Sequence, residues 1–421
     1  MSGSWPRRFS AYRPGPLGRN TLMGSGGLVL RAVIQAIYLL VVSRWLGASD
    51  FGLFAGSVAV AAIVAPLANW GTPLLLTRHV ARNPESSRAM WATALSQTGR
   101  VGGLLSVLVL ALAGFVLREH VGLWAMALVV VAELILVPAT QAATSQCFAL
   151  ERGMAGSISI CLVPAGRVLA AVAMLAAGLD GSPGHAAIAH FVGSLGGLAA
   201  ALVLVAIVDG WPAWSRRMRT GPATREGTPY AIGGLVGTSY LELDKVLMLQ
   251  LLGAAIVGPY TAGFRVVGVL VMPIAALIGA TLPRLMALHQ TSGQARTYRA
   301  VLVSAVGYGL LASLATLALS PFVPALFGPG YEDTARYVQW LSPWPLLYAL
   351  HHSAASALTA SDRQGQRIRI ESAGLGIAIV LNVVLLPKLG AAGAVVALLA
   401  TEAVVALMCW KVVSGRKPRQ A

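Results

Sequence analysis

Arg31 falls near the middle of an apolar stretch over 22–43, with Gln35 four residues on and Tyr38 seven on. At helical spacing the three share one face. An ionisable group at the centre of a bilayer costs ~3 kcal/mol on insertion scales, so such a stripe does not face lipid. A guanidinium stays charged when partly desolvated and presents paired donors that match phosphate or carboxylate oxygens. The stripe therefore reads either as an anion-binding wall of an interior cavity or as a structural arginine bonded to carbonyls of a facing bundle.

Further charges lie in apolar surroundings. Arg167 sits mid-stretch and either lines the cavity or pairs with Glu133. Arg265 precedes an apolar run ending at Pro283 and reads as cavity-lining or as a partner of Asp244. Thr238, Glu242 and Lys245 share one helical face, and Glu242 and Lys245, three apart, can pair within the helix. Arg100 reads as snorkelling to the membrane surface. Four of these five intramembrane bases (Arg31, Arg100, Arg167, Lys245 and Arg265) are arginine, which suits an anionic cargo better than a cationic one. Candidate anion-binding residues are thus Arg31, Gln35, Arg265, Arg167 and Lys245; Asp244, Glu133 and Glu242 are candidates for a coupling ion. His190, His351 and His352 read as interhelical hydrogen-bonding groups, and Glu371, close to Arg367 and Arg369, as a solvated acid.

The elements that must position these residues follow from composition. Of 421 residues 57% are hydrophobic and 11% charged, where soluble domains run about 25% charged. Lipid is the solvent this chain expects. Spans of roughly 20 apolar residues are predicted at 22–46, 52–76, 92–117, 121–147, 153–178 and 186–208. Six more fall at 229–252, 255–283, 298–319, 334–359, 366–387 and 390–413. The fold class is all-α: a polytopic membrane protein of twelve transmembrane helices. Residues 1–21 read as a basic arm, 22–208 as one six-helix lobe, 209–228 as a linker, 229–413 as a second lobe and 414–421 as a tail.

The net charge of +16 could suggest nucleic acid, but its distribution gives a different reason. Twenty-two Lys and Arg lie in the arm, the tail and every second loop, against 4 in the opposite loops (Arg44, Arg118, Arg336 and Lys388). The positive-inside rule then places both termini in the cytoplasm. Cys147, Cys161 and Cys409 each lie in apolar runs, which excludes a disulfide framework or zinc site.

The halves repeat. At a shift of 206, Leu46-Gly47-Ala48 meets Leu252-Gly253-Ala254, Gly52 meets Gly258, Phe54 meets Tyr260, Leu76 meets Leu282 and Arg78 meets Arg284. Glu151-Arg152 recurs as Asp362-Arg363, and Gly181 and Gly184 as Gly390 and Gly393. With six spans each, the halves are parallel repeats about an axis along the membrane normal, a plan transporters use with the site at the repeat interface.

The segment Arg44-Trp-Leu-Gly-Ala-Ser-Asp50-Phe-Gly-Leu-Phe54 resembles the turn between the first two helices of bacterial polysaccharide flippases. Asp244-Lys245, the run up to Gly258-Pro-Tyr260, and Pro283-Arg284 resemble the counterpart at helices seven and eight. The resemblance is to the O-antigen and exopolysaccharide flippase branch of the multidrug/oligosaccharidyl-lipid/polysaccharide exporter superfamily. It implies a carrier in the bacterial inner membrane that moves undecaprenyl-diphosphate-linked oligosaccharide outward, through a central cavity between the lobes. It also implies association with other polysaccharide-assembly proteins. The chain lacks the two additional helices of lipid II flippases in that superfamily.

Other chemistry lacks its residues. There is no Gly-rich loop ending in Gly-Lys-Ser/Thr, no His-Glu-x-x-His and no Gly-x-Ser-x-Gly. No cofactor or metal is expected, and the reading is of a carrier, not an enzyme. Three rivals stay open: a drug or cation antiporter of the same superfamily, a membrane-bound glycan polymerase or ligase, which the short external loops disfavour, and a scaffold without transport.

Overall fold

The computed structural model describes residues 16–116, 122–214, 220–288 and 292–414. Most of the proposed basic arm, the middle of the linker and the tail beyond 414 lie outside the described residues.

The first helix, α1 (Pro16–Asn69), contains a reversal at Gly47, whose backbone (φ 72, ψ 173) is left-handed. Its limbs, 16–46 and 48–69, run in opposite directions. α6 (Gly153–Ala176) starts beside Gly27, through Cys161 Sγ to the Gly27 carbonyl at 3.6 Å. Past the end of α6, Trp45 Nε1 donates to the Leu179 carbonyl at 3.0 Å. Asn69 Nδ2 then donates to Gln141 Oε1 at 2.9 Å, two turns from the end of α5 (Val137–Ala149), which leads back into α6. So the chain crosses and returns. The second limb ends at Trp70 and Gly71, both with positive φ. A separate amphipathic helix, α2 (Thr72–Arg82), buries Leu75, Leu76 and Val80 and turns Arg78 and Arg82 outward. The predicted span 52–76 is therefore shorter, and its last turns belong to this surface helix.

α3 (Ser87–Val116) follows, then α4 (Leu123–Val131), which joins α5 through a π-helical turn over Ala132–Leu136. Pro138 contributes no N–H to the helical ladder there. Gly102 of α3 packs on this turn: a Cβ would lie 2.2 Å from the Leu134 carbonyl oxygen. α7 (Pro183–Asp209) completes the first lobe.

The second lobe comprises α8 (Thr220–Leu251), α9 (Ala254–Ala287), α10 (Ser292–Leu319), α11 (Val323–Phe327), α12 (Thr334–Leu341), α13 (Trp344–Thr359), α14 (Gln364–Leu389) and α15 (Ala391–Ser414). α8 begins inside the predicted linker. The single span expected at 334–359 is broken at Ser342-Pro343 into α12 and α13. Nine helical stretches among the described residues are long and apolar enough to cross a membrane. One of them, Gly26–Arg82, holds the α1 hairpin; α8 and the α12–α13 pair complete twelve crossings in two lobes of six.

The repeat is visible in backbone geometry. Gly253 (φ 87, ψ 167) matches Gly47, and Glu151 (φ 58) matches Asp362 (φ 57). The lobes cross where the repeat-related glycines meet. A Cβ on Gly52 would lie 2.0 Å from Ala254 O, and one on Gly258 would lie 1.9 Å from Ala48 O. Since Ala48 and Ala254 are themselves related by the shift, the contact is reciprocal and the pseudo-twofold axis passes through it.

Candidate functional site

Three buried polar clusters and one half-buried, isolated base stand out among the described residues of the spans. In the first lobe, Glu133 sits on the π turn. It accepts from Arg167 Nη2 at 2.7 Å and from His190 Nε2 at 2.8 Å. His190 thus carries its proton on Nε2, and its bare Nδ1 accepts from Tyr38 Oη at 2.9 Å. Arg167 Nε also donates to Ser194 Oγ at 2.8 Å. Every member is satisfied, and Arg167 is paired with Glu133, one of the two arrangements its sequence position left open.

The second cluster joins α8 and α9. Lys245 is fully buried, 3.0 Å from Asp244 Oδ1 and 3.6 Å from Glu242 Oε2. Its ammonium also donates to the Leu241 carbonyl and lies 3.6 Å from the Phe264 ring centroid, a cation–π contact. Tyr260 Oη donates to Asp244 Oδ2 at 2.5 Å. Arg265 reaches Glu242 at 2.8 Å, not Asp244, and its side chain stays 42% exposed. Lys245 has no free donor surface for a cargo, whereas Arg265 has.

The third cluster joins α8, α13, α14 and α15. Glu402 accepts from Tyr240 Oη at 2.5 Å and from His351 Nδ1 at 3.1 Å. Glu371, partly buried, accepts from Arg367 Nε at 2.7 Å and lies 4.0 Å from His351 Nε2. Beside Arg367 and Arg369 in sequence, Glu371 reads as a solvated acid. Two turns into α14, its side chain is instead 22% exposed and bonded to Arg367. The helical spacing of His351 and Glu371 on separate elements gave no signal that they would meet.

Arg31 differs from all of these. It is half-buried on the first limb of α1, with Cys161, Arg167 and Glu133 within electrostatic reach, and has neither hydrogen bond nor ion pair among the described residues. Gln35, one turn on, is exposed. Tyr38, the third member of the stripe, is taken up by His190. Arg100 is exposed on α3. Buried acids in the described spans, by contrast, all have partners: Glu133, Glu242, Asp244 and Glu402 each meet a base or a hydrogen-bond donor.

The two seams flanking the pseudo-twofold are unequal. Between the second limb of α1 and α8 the contact runs the whole way: Gly56 on Leu249, Pro66 on Gly234, and Trp70 Nε1 donating to Thr228 Oγ1 at 3.2 Å. Its symmetry mate would join the first limb to α9. On those two elements Leu28, Val29, Val33 and Ile37, and Val269 and Met272, are exposed. At the hairpin end the lobes are held together. Arg44 donates to the carbonyls of Leu326 (2.7 Å) and Ala325 (3.1 Å), and Tyr331 Oη donates to Ser43 O at 3.0 Å.

Known proteins share this architecture. The structure is similar to an inward-facing multidrug resistance MATE family transporter of the MOP superfamily (TM-score 0.74, 14% identity, covering 92% of this chain and 97% of that one). An outward-facing MATE family transporter of the same superfamily gives TM-score 0.66 at 14% identity, with 96% of each chain covered. A MOP superfamily transporter from Pyrococcus furiosus, described as having a binding pocket of reverse polarity, gives 0.63 at 13% identity, covering 95% of this chain and 94% of that one. No curated relative matches the sequence. The family described as polysaccharide biosynthesis protein matches residues 17–289, well over half the chain. On that match and this twelve-helix fold, the chain is a member of the polysaccharide biosynthesis protein family, a multi-pass membrane protein on the MATE/MOP transporter scaffold.

Proposed function

We propose that the protein is a flippase carrying undecaprenyl-diphosphate-linked oligosaccharide across the bacterial inner membrane for cell-surface polysaccharide synthesis, without enzymatic chemistry. The observation that carries this reading is the unpartnered Arg31 guanidinium beside exposed Gln35, in spans whose buried acids each meet a base or a hydrogen-bond donor. A diphosphate supplies the missing anion, and guanidinium binds it with paired, charge-assisted bonds. Arg265, held by Glu242 yet partly exposed, is a second contact. It lies twelve residues past Gly253, as Gln35 lies twelve before Gly47, so both stand about 18 Å from their hairpin turns at 1.5 Å per residue. Arg167 and Lys245 keep structural roles in this scheme.

The unequal seams support a direction of access. The closed hairpin end and the exposed residues of the first limb and α9 fit a groove open toward the arginine-rich end. The higher similarity to the inward-facing relative agrees with that state. The headgroup enters the groove while the polyprenyl tail stays in lipid, and the lobes rock about the glycine crossing. The positive-inside distribution makes the arginine-rich end cytoplasmic.

The test deletes the gene, follows which leaflet accumulates lipid-linked glycan, and compares rescue by Arg31→Lys and Arg31→Ala. Accumulation in the inner leaflet with rescue by lysine but not alanine is expected. Equal rescue by alanine would remove the headgroup role. The drug or cation antiporter reading demands instead that Asp244 or Glu133 be indispensable while Arg31 is not.

A further inference from the structure

The two lobes bury clusters of the same make-up. Each takes a tyrosine from the first helix of its repeat, a histidine and a glutamate from the fourth and sixth, and an arginine from the fifth. Histidine and glutamate exchange places: Glu133 and His190 in the first lobe correspond to His351 and Glu402 in the second. The first cluster is closed. Glu133 and Arg167 cancel, and both nitrogens of His190 are bonded.

The second cluster is not. Glu402 is an acceptor, so the His351 Nδ1 facing it carries hydrogen. A neutral His351 then has a bare lone pair on Nε2. That atom is buried without a hydrogen-bond partner, and the acid nearest to it is Glu371 at 4.0 Å. Two acceptors face each other with no hydrogen between them. Charge is also short: Glu402 and Glu371 bring two negatives, Arg367 one positive. The surroundings do not supply another. His352 and Tyr348 stack beside His351 on α13, Cys409 lies nearby on α15, and Tyr240 reaches in from α8. The apolar α9 and α10 residues packed with Ala349 of α13 are Ile274, Leu277, Ile278, Ala305 and Val306, with Tyr308; Ser313 of α10 accepts from the Leu346 amide, and Tyr298 of α10 packs on Trp410 near Cys409.

We infer that His351 Nε2 is a proton-binding site shared with Glu371 and supplied from the arginine-rich end. One proton passes from bulk water to the Glu371 carboxylate and on to His351 Nε2. The imidazolium then donates to Glu402 through Nδ1 and to Glu371 through Nε2, and the cluster becomes neutral. Exposure falls along this route, from 22% for the Glu371 side chain to 6% for His351 and 1% for Glu402. Arg367 anchors its outer end by donating to Thr359 Oγ1 at 3.1 Å, where Gln364 opens α14. A hard alkali cation wants several oxygens at once, and here a carboxylate oxygen of each acid is already occupied. Tyr240 ties Glu402 to α8, the helix of the continuous inter-lobe seam, so loading the site bears on the lobe interface. That last link rests on the flippase reading and makes the proton the coupling ion.

The test labels the seven histidines with nitrogen-15 in the full-length protein in lipid nanodiscs, with His351 assigned from His351→Gln. The expected signal is an Nδ1–H tautomer that converts to imidazolium on acidification. Glu371→Gln should lower the pH of conversion by ~1–3 units, the usual effect of one nearby charge, and His352→Gln should leave the Nδ1–H tautomer in place. If Glu371→Gln does not fold, Glu371→Asp, which keeps the charge and lengthens the gap, should lower it by less. A His351 that stays neutral wherever the protein is folded, or that carries its proton on Nε2 when neutral, would overturn the site. So would added Zn²⁺ moving the His351 and His352 signals together while protons do not, since His351, His352 and Glu402 can each offer a ligand atom within 4.8 Å of the others. None of these readouts needs a cargo, so their failure is distinct from failure of the leaflet assay. For coupling, His351→Gln should make flipping insensitive to an imposed pH gradient; a wild type already insensitive removes that link.

Discussion

Lys245 lies over the Phe264 ring with Asp244 and Glu242 at hand, so removing its charge strands buried acid and costs stability before it touches transport. Lys245→Met leaves Asp244 with only the Tyr260 hydroxyl and its neighbouring backbone amide. Breaking a buried pair by deleting one partner costs ~3–5 kcal/mol. The expected outcome is a fall in the thermal midpoint of the detergent-solubilised protein and in its membrane abundance. Arg31→Ala should do the reverse. With no partner to strand, it leaves the thermal midpoint near wild type. Transport falls by about 10- to 150-fold, the equivalent of a charged hydrogen bond of ~1.5–3 kcal/mol. The residue types needed for this contrast were readable from the sequence, since every one stands in an apolar run. Their pairing was not. Arg167 could face Glu133 or a cavity, and Arg265 could face Asp244 or a cavity, where the fold gives it Glu242; helical spacing fixes a face within one helix and says nothing of the rotation of the next. The proton site went unseen for the same reason, because His351, Glu371 and Glu402 come from three helices.

At the scale of elements, the hairpins at Gly47 and Gly253 and the crossing at Gly52 and Gly258 carry the repeat. Left-handed backbone at both turns and contact with a carbonyl at both crossings explain why these positions are glycine in each half. Gly52→Ala places a methyl group within 2.0 Å of the Ala254 carbonyl oxygen. Neither helix backbone can yield without parting the lobes at that end, and overpacking of this kind costs ~1–3 kcal/mol. Gly52→Ala and Gly258→Ala should therefore both shift the protein toward a state with the hairpin end parted, seen as a longer inter-lobe distance between spin labels on Ser49 and Glu332. An unchanged distance in both would mean that the crossing is not the hinge. Long apolar runs made the spans legible, and the repeat shift made the hairpins so. The break at Trp70-Gly71, the π turn at 132–136 and the split at Ser342-Pro343 were hidden, since each interrupts the hydrogen-bond ladder without interrupting hydrophobicity.

For the whole molecule, the decisive quantity is the uneven distribution of Lys and Arg between the two ends. The fold gathers Arg78, Arg82, Arg88, Arg152 and Arg225 with the chain ends of α2, α5, α7 and α8, and the hairpin turns Gly47 and Gly253 at the other. Two of its exposed tryptophans, Trp211 and Trp214, stand at the same end as Arg88, which donates to the Trp211 carbonyl at 2.8 Å, a pairing suited to a headgroup layer. Orientation can be tested directly because the native thiols are silent: Cys147, Cys161 and Cys409 are all buried. Cysteines placed at exposed Glu85 and Asp180 sit at opposite ends of the first lobe. A membrane-impermeant maleimide added to spheroplasts should label Asp180→Cys and not Glu85→Cys, and inverted vesicles should reverse the result. Labelling of Glu85→Cys from outside would turn the carrier over. The groove proposed beside Arg31 would then open to the periplasm, where a cargo built in the cytoplasm could not reach it, and the direction of flipping proposed for the chain would fail with it.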